Sequence, residues 1–315
     1  MIDLLIISYN GKDFTSQAIE SALANTVQPR SIIVLDNNST DGSVEYLSSK
    51  FKDIQIIANK ENLSYGGGAN LGIKFCNSDF VVISNNDVIF PPNFFSKLLE
   101  AIDLLDGKFG ILGPLQIYPN GKPQFSFGSL HSVLSALLDV TFLHSLFLIL
   151  VRMFYKVFHY PRFLKVGYVD GAVICVNRKA FESIGGFDEN FRLYSEDTDL
   201  CLRMKKKGYN VLVDMGNTVV HYRGQGKNDR IGVTPQRIEQ FVNARVLYCQ
   251  KNLSSLSAKL YFLLESIFYL ELLVVNLIRR IFGKSNKDTI KFCLTSSKLF
   301  FIKFLGNKKF KQKSY

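Results

Sequence analysis

A chain of 315 residues with 47% hydrophobic and 21% charged residues is long enough for one large domain or two ordinary ones, and its composition excludes a disordered protein. The formal charge is +11, and residues 279–315 hold eleven Lys or Arg against one Asp, a net +10. A basic segment that is also rich in Phe, Leu and Ile suits anionic lipid head groups; a nucleic-acid binder would spread basic residues among aromatics across the folded domain, so no nucleic-acid partner is expected.

Five cysteines (Cys76, Cys175, Cys201, Cys249 and Cys293) stand far apart with no C-x-x-C pair, which argues against a zinc knuckle or a disulfide framework and for a reducing compartment. The chain opens directly on a strand-like run, without the basic stretch, apolar core and cleavage site of a secretory signal. A catalytic domain on the cytosolic side is therefore expected.

Residues 2–7, 32–35, 54–58 and 80–84 are short apolar runs rich in β-branched residues, long enough for buried strands and too short for helices. Helical patterns over 14–23, 44–50 and 70–75 can carry the chain from one strand to the next. The alternation predicts an α/β fold with a Rossmann-like, mostly parallel central sheet and flanking helices. Ligands of such sheets bind at the carboxyl ends of the strands.

Polar loops follow each strand: Ser8-Tyr9-Asn10-Gly11, then residues 36–42, then 62–68, then Asn85-Asn86-Asp87. A second block, residues 166–221, adds a strand over 172–176, a turn at Gly185-Gly186, a helix over 196–207 and strands near 211–213 and 218–221. It completes the first domain, giving a domain over 1–250 with an apolar helical insertion at 130–163. A helical, basic, membrane-associating region follows over 251–315. The apolar stretches 130–163 and 256–282 could reach across a bilayer, but Asp139, His144 and Arg152 interrupt the first and Glu265 and Glu271 the second. Each charge costs roughly 2.5–3.5 kcal/mol at mid-bilayer, which favours helices lying in the interface or packed on the domain.

Several residues carry chemistry. Asp36, Asn38, Ser39 and Asp41 could read a base edge and a ribose diol, although Asx and Ser residues also serve turns and caps. Gly66-Gly67-Gly68 before Asn70 lets backbone approach an anion, or is a flexible loop; Leu71 breaks the G-x-G-x-x-G dinucleotide spacing. Asp87 ends a buried strand where one carboxylate could share Mg²⁺ or Mn²⁺ with two phosphates. Glu196-Asp197-x-Asp199 opens a helix with more carboxylates than capping needs, and one aimed separately suits general-base work. His221 precedes the polar loop Tyr222-Arg223-Gly224-Gln225-Gly226, where an imidazole is either structural or a metal ligand.

The order of these motifs, with Gly171-Ala172 and Gly185-Gly186-Phe187-Asp188, resembles the family 2 inverting glycosyltransferases of GT-A fold and is similar to the bacterial rhamnosyltransferase-like group. The resemblance spans roughly residues 1–250. It implies a nucleotide-sugar site made by Ser8, Tyr9, Asn10, Asp36, Asn38, Ser39, Asp41, Asn62, Gly67, Asn70, Asn85 and Asn86. It implies a divalent metal, Mg²⁺ or Mn²⁺, at Asp87 with help from His221; the family's first metal-site Asp is Asn85 here. Asp197 matches the catalytic base, and Gly186, Phe187 and Glu196 the acceptor side.

The expected function is transfer of a sugar, rhamnose among the candidates, from a dTDP- or UDP-sugar to a lipid-linked or growing glycan in bacterial surface polysaccharide synthesis. The enzyme would work as a peripheral protein on the inner face of the cytoplasmic membrane. The other reading is a non-catalytic membrane-surface scaffold that keeps the fold. A nucleotidyltransferase lacks its basic phosphate loop here, and a dehydrogenase its Rossmann fingerprint.

Overall fold

The computed structural model describes residues 1–141, 161–223, 234–283 and 285–306. His144, Arg152, Gly224, Gln225, Gly226 and the end of the basic tail lie outside the described residues. The chain divides into two compact units, Met1–Leu130 with Tyr160–Arg230 and His131–His159 with Ile231–Tyr315. The sequence division had its insertion at 130–163 and its boundary at 250; the latter position lies within the helix Pro235–Asn252 of the second unit.

In the first unit β1 (Ile2–Ser8), β2 (Ser31–Asp36), β3 (Gln55–Ala58) and β4 (Phe80–Asn85) alternate with α1 (Lys12–Leu23), α2 (Ser43–Lys50) and α3 (Ser64–Gly72). They lie in the order β3-β2-β1-β4, all parallel. Both faces are covered, so β1 is apolar through its middle: Leu4 and Ile6 belong to one buried cluster, Leu5 and Ile7 to the other. Ser8 pairs with Asp36 and Ile7 with Asn85, so the three strands end level and their loops share one rim.

Next come β5 (Val88–Ile89), α4 (Phe94–Leu104), β6 (Ile111–Ile117), β7 (Phe127–Gly128), α5 (Val133–Val140), β8 (Phe163–Lys165), β9 (Tyr168–Val169), β10 (Val173–Asn177), α6 (Arg178–Ser183), α7 (Glu196–Lys206) and β11 (Val211–His221). All but α5 lie in the first unit. The sheet continues β4-β10-β6-β11-β5, with β8 on β11. Its second half is mixed: β10 runs antiparallel to both β4 and β6, and β11 is parallel to β6 but antiparallel to β5 and β8.

The two strands expected at 211–213 and 218–221 are one. In β11 the register skips from Asp214↔Pro114 to Thr218↔Leu115, leaving three residues bulged out. Pro114 has no N–H to offer a ladder, and a bulge bends its strand. Buried Asp214 holds the bulge, its Oδ1 accepting from Gly216 N at 2.9 Å and Arg162 Nε at 3.3 Å. Beyond it, β11 brings His221 beside Val88 of β5.

The second unit contains α5, α8 (Pro235–Asn252), α9 (Ser255–Ile281) and α10 (Lys287–Phe304). Thr234, Ser254 and Asn286 cap the last three through their side chains. Tyr248, Tyr261, Tyr269 and Phe300 fill the interior. Glu265, one of the charges interrupting the apolar stretch, is buried and meets Arg245 Nη1 at 2.6 Å. Helix α9 is long and apolar enough to cross a membrane by length and composition. Leu270, Val274 and Ile278, at four-residue spacing on its outer face, are exposed.

Buried Asp3 ties the start of the sheet together: it accepts from Ser31 Oγ at 2.8 Å, Asn77 N at 2.6 Å and Ser78 N at 2.7 Å. Burial pushes its carboxyl up, but these hydrogen bonds outweigh that and hold it below its ordinary value. Asp3→Ala leaves the donors without an acceptor and should cost about 1–3 kcal/mol in urea unfolding at pH 7. Because the folded value is the lower one, this contribution is complete above the unfolded carboxyl value of about 4 and is lost as pH falls through the folded value. A difference between wild type and variant that persists unchanged at low pH would contradict this account.

Candidate functional site

The first two loops of the rim are laced together by the polar residues the sequence singled out. Asp36 accepts from Ser39 N at 2.8 Å and from Ser39 Oγ at 2.6 Å. Ser39 Oγ in turn accepts from Asn10 N at 2.8 Å, and Asn10 Oδ1 from Thr40 N at 2.8 Å. Asp41 closes the α2 end by accepting from Ser43 N at 3.1 Å and Lys12 N at 3.3 Å. Asn10 and Asn38 sit at φ 50° and 67°, a left-handed conformation that Asn tolerates. Tyr9, Asn38 and Asp41 are exposed at this rim.

Ser8 and Asn86, expected at the donor, brace the loop after β1. Ser8 is buried with its Oγ 2.8 Å from Thr15 Oγ1, and Asn86 Nδ2 donates to both, at 3.4 and 3.2 Å. A Cβ on Gly11 would meet Asn86 Nδ2 at 2.3 Å, so the loop after β1 rests directly on Asn86. Asn85 is half-buried, and its N–H donates to the Ala172 carbonyl at 2.8 Å.

The triple glycine has a packing reason. A Cβ on Gly66 would meet Phe187 Cβ at 3.0 Å, on Gly67 Leu63 Cβ at 2.9 Å, and on Gly68 Asn37 Nδ2 at 2.9 Å. All three glycines are buried, so they let α3 lie close to β2 and to the turn at Phe187. Asn37 fastens this contact by donating to the Ser64 carbonyl at 2.8 Å. Asn62 is exposed and accepts from Ser64 N at 2.8 Å. The Asn70 amide is spent on the turn at Phe187: it accepts from Phe187 N at 2.8 Å and donates to the Phe187 carbonyl at 2.9 Å and Glu189 at 3.0 Å. Gly186, at φ 70°, passes so close that a Cβ would lie 2.3 Å from Asn70 Oδ1.

Asp87 and His221, far apart in sequence, are brought together by the pairing of β5 with β11: Asp87 Oδ1 lies 3.3 Å from His221 Nε2. His221 is buried and Asp87 half-buried. The Tyr222 N–H donates to the Asp87 carbonyl at 3.0 Å, and the Tyr222 ring meets Phe14 of α1 edge-on at 5.1 Å. The other imidazole nitrogen, Nδ1, lies 2.9 Å from Gln116 Oε1. A carboxylate oxygen and an imidazole nitrogen facing each other form a donor set that fits a hard or borderline divalent cation. Among the described residues no three or more His, Cys, Asp or Glu cluster as a metal cage, so phosphate oxygens and water would complete the shell.

The acidic pair opens α7, and the chain enters it under strain. Tyr194 and Ser195 are both left-handed, at φ 69° and 64°, a conformation costing roughly 1 kcal/mol or more for a non-glycine residue and found most often at functional sites. Asp197 Oδ2 accepts from Gly171 N at 3.0 Å, and Oδ1 from Thr198 N at 2.6 Å and Thr198 Oγ1 at 3.2 Å. Because β10 runs against β4, Gly171 lies at the rim where β4 ends, and Asp197 with it. Tyr65 donates to the Gly171 carbonyl and stands among Asp170, Glu196 and Asp197.

Burial raises both carboxyls; repulsion from Asp197 adds to it at Glu196, and repulsion from Asp170 at Asp197. Asp197 is pushed up less, because the N–H groups of Gly171 and Thr198 favour its charged form, whereas Glu196 Oε2 is shut off from solvent with no hydrogen-bond partner among the described residues. Glu196 therefore holds a proton more readily and leaves Asp197 as the anion. The third carboxylate, Asp199, is fully buried and meets Arg203 Nε at 2.6 Å, a structural pair.

Sequence reasoning passed over Asn37, Tyr65, Gln116, Gln124 and Asp170. Tyr65 and Asp170 adjoin motifs it did use; Gln116 is a lone amide within an apolar strand, a readable signal. Asn37 was hidden among neighbours of the same type.

The family description "Glycosyl transferase family 2" matches residues 3–148, and "Glycosyl transferase family group 2" matches residues 80–229. The N-acetylglucosaminyl-diphospho-decaprenol L-rhamnosyltransferase of Mycobacterium tuberculosis is 25% identical over 242 residues, covering 71% of this chain and 76% of that protein. Among solved structures, the mannosyltransferase PcManGT from Pyrobaculum calidifontis, in complex with GDP-Man and Mn²⁺, aligns over 98% of this chain and 88% of its own with a TM-score of 0.60 at 14% identity. S. aureus TarS 1-349, in complex with UDP-GlcNAc, aligns over 97% of this chain and 80% of its own at 0.54 and 14%. The structural likenesses establish the GT-A fold. The two family descriptions together span both halves of the sheet, and the chain belongs to the family 2 glycosyltransferases.

Proposed function

We propose that the first unit transfers a sugar from a nucleotide-sugar donor to a lipid-linked glycan, with inversion at the anomeric carbon, and that Asp197 is the base. The observation that carries this reading is the arrangement at the rim: Asp197 on Gly171, Ala172 bonded to Asn85, and Asp87 two residues further, facing His221. A base and a cation-binding pair thus flank the end of β4, where ligands of such sheets lie. The exposure of Tyr9, Asn38 and Asp41 at the ends of β1 and β2 supports a nucleoside site there.

Asp197 removes the acceptor hydroxyl proton as that oxygen attacks the anomeric carbon, and the diphosphate leaves from the opposite face. Neutral Glu196 keeps a second negative charge away from the attacking oxygen. Asp87 and His221 would hold Mg²⁺ or Mn²⁺, which when bound stabilises charge on the leaving diphosphate. The relative's name supports a polyprenyl-diphosphate glycan as acceptor and rhamnose as sugar, and hence a role in building a bacterial surface polysaccharide. The apolar outer face of α9 and the basic residues from Arg279 onward support peripheral work at the cytoplasmic membrane surface.

The enzymatic reading is tested with a panel of UDP-, dTDP- and GDP-sugars, with and without Mn²⁺. One donor should bind in a metal-dependent way, and Asp197→Asn should keep that binding while turnover falls about a hundredfold or more. Turnover of the wild type should fall as pH drops through the Asp197 value, at a pH above the ordinary carboxylate range of about 4. Failure of every donor to bind under any metal condition would refute the proposal. The membrane reading predicts that the full chain sediments with vesicles containing anionic lipid and is partly released by high salt; equal recovery in the supernatant with and without vesicles would refute it.

A further inference from the structure

Two buried glutamines are spent on one histidine. Gln116, on β6, places Oε1 2.9 Å from His221 Nδ1, and Gln124 Nε2 donates to the His221 carbonyl at 2.6 Å. The turn after β6, in which Tyr118 N donates to the Lys122 carbonyl and Gln124 N to the Gln116 carbonyl, folds the second glutamine back beside the first. Among the described residues Gln116 Nε2 and Gln124 Oε1 have no hydrogen-bond partner, a burial cost that apolar residues of similar size would avoid. The atoms of these amides that do find partners are the ones gripping His221.

A neutral imidazole has one N–H and one lone pair, and the neighbour of one nitrogen decides which nitrogen carries which. Pairing of β11 with β5 fixes the His221 backbone but leaves its ring free to turn and its proton free to change sides. A carbonyl oxygen at Nδ1 requires the hydrogen there. In that neutral ring Nε2 presents its lone pair on the side of Asp87 Oδ1, 3.3 Å away, where a shared cation bonds to both.

We propose that Gln116 is a positioning residue: it fixes the ring plane and tautomer of His221, with Nε2 unprotonated and aimed beside Asp87, so that the pair is preset for a divalent cation. This rests on the reading of Asp87 and His221 as the metal-facing pair. Partners beyond the ligands of this kind set ligand orientation and are typically worth about ten- to a hundredfold in metal affinity.

The test uses the full chain labelled with ¹⁵N-histidine, whose four histidines are separated by assigning His221 through His221→Asn. In metal-free wild type, the neutral form of His221 should carry its hydrogen on Nδ1 and leave Nε2 bare. Gln116→Met, similar in length but without the acceptor, should lose that single tautomer and bind Mn²⁺, read by the electron paramagnetic resonance of the free ion, about tenfold or more weakly. Gln116→Glu, which keeps an acceptor in place, should keep the Nδ1 proton and the Mn²⁺ affinity. A neutral His221 with its hydrogen on Nε2 in the wild type, or unchanged Mn²⁺ affinity in Gln116→Met, overturns the proposal. Asp87→Asn separates the two readings: if it leaves Mn²⁺ binding intact the metal-facing pair is wrong, and if it weakens binding while Gln116→Met does not, only the role of Gln116 falls. Should Gln116→Met fail to fold, the wild-type spectrum and Gln116→Glu still decide.

Discussion

Strand β10 runs against β4, and much of the site follows from that reversal. A parallel strand in its place would put its carboxyl end at the rim and carry Gly171 to the far side of the sheet. Running backwards, β10 starts at the rim, so Asn85 N reaches the Ala172 carbonyl and Gly171 N reaches Asp197. The acidic pair of a helix more than a hundred residues downstream is thereby fixed beside the mouth of β4. The bulge in β11 does the same for His221: bent past Pro114, the strand ends alongside β5 and delivers its imidazole to Asp87.

Most polar residues of the rim hold the rim. Asp36, Ser39, Asn10 and Asp41 tie two loops to each other, Ser8 and Asn86 brace the first from within, and Asn37 and Asn70 clip α3 to its neighbours. This is the expected cost of loops at a binding site: their backbone groups need partners, and side chains supply them where no strand does. The groups left exposed, among them Tyr9 and Asn38, stand on a surface whose shape has already been fixed. Tyr194 and Ser195, two adjacent left-handed residues, stand directly before the carboxylates.

The parallel half of the sheet was legible because each strand has an apolar middle and ends in a polar loop, a pattern local enough to read from residues 1–87. The direction of β10 was not, since Val173–Asn177 is equally apolar whichever way it runs. The interval 214–217 read as a break between two strands because a bulge and a turn present the same mix of Asp, Gly and Asn; only the partner strand tells them apart. At the site, the residue types were readable but their tasks were not. Asn70 and Asp197 both mark the rim in sequence, yet one amide is consumed by the Phe187 backbone and one carboxylate is kept charged by two N–H groups. The glycines at 66–68 suggested an anion cradle, whereas the neighbours Phe187, Leu63 and Asn37 account for the absence of their side chains.

The central claim is that one rim holds the cation-binding pair and the base on either side of a donor. Anomalous diffraction from crystals grown with Mn²⁺ and a nucleoside diphosphate tests it most directly. The account predicts a Mn²⁺ peak bonded to Asp87 and His221 Nε2, with the diphosphate on the metal and its open end towards Asp197. A nucleotide seated away from this rim, or a Mn²⁺ peak held by other residues while the diphosphate is bound, would contradict it.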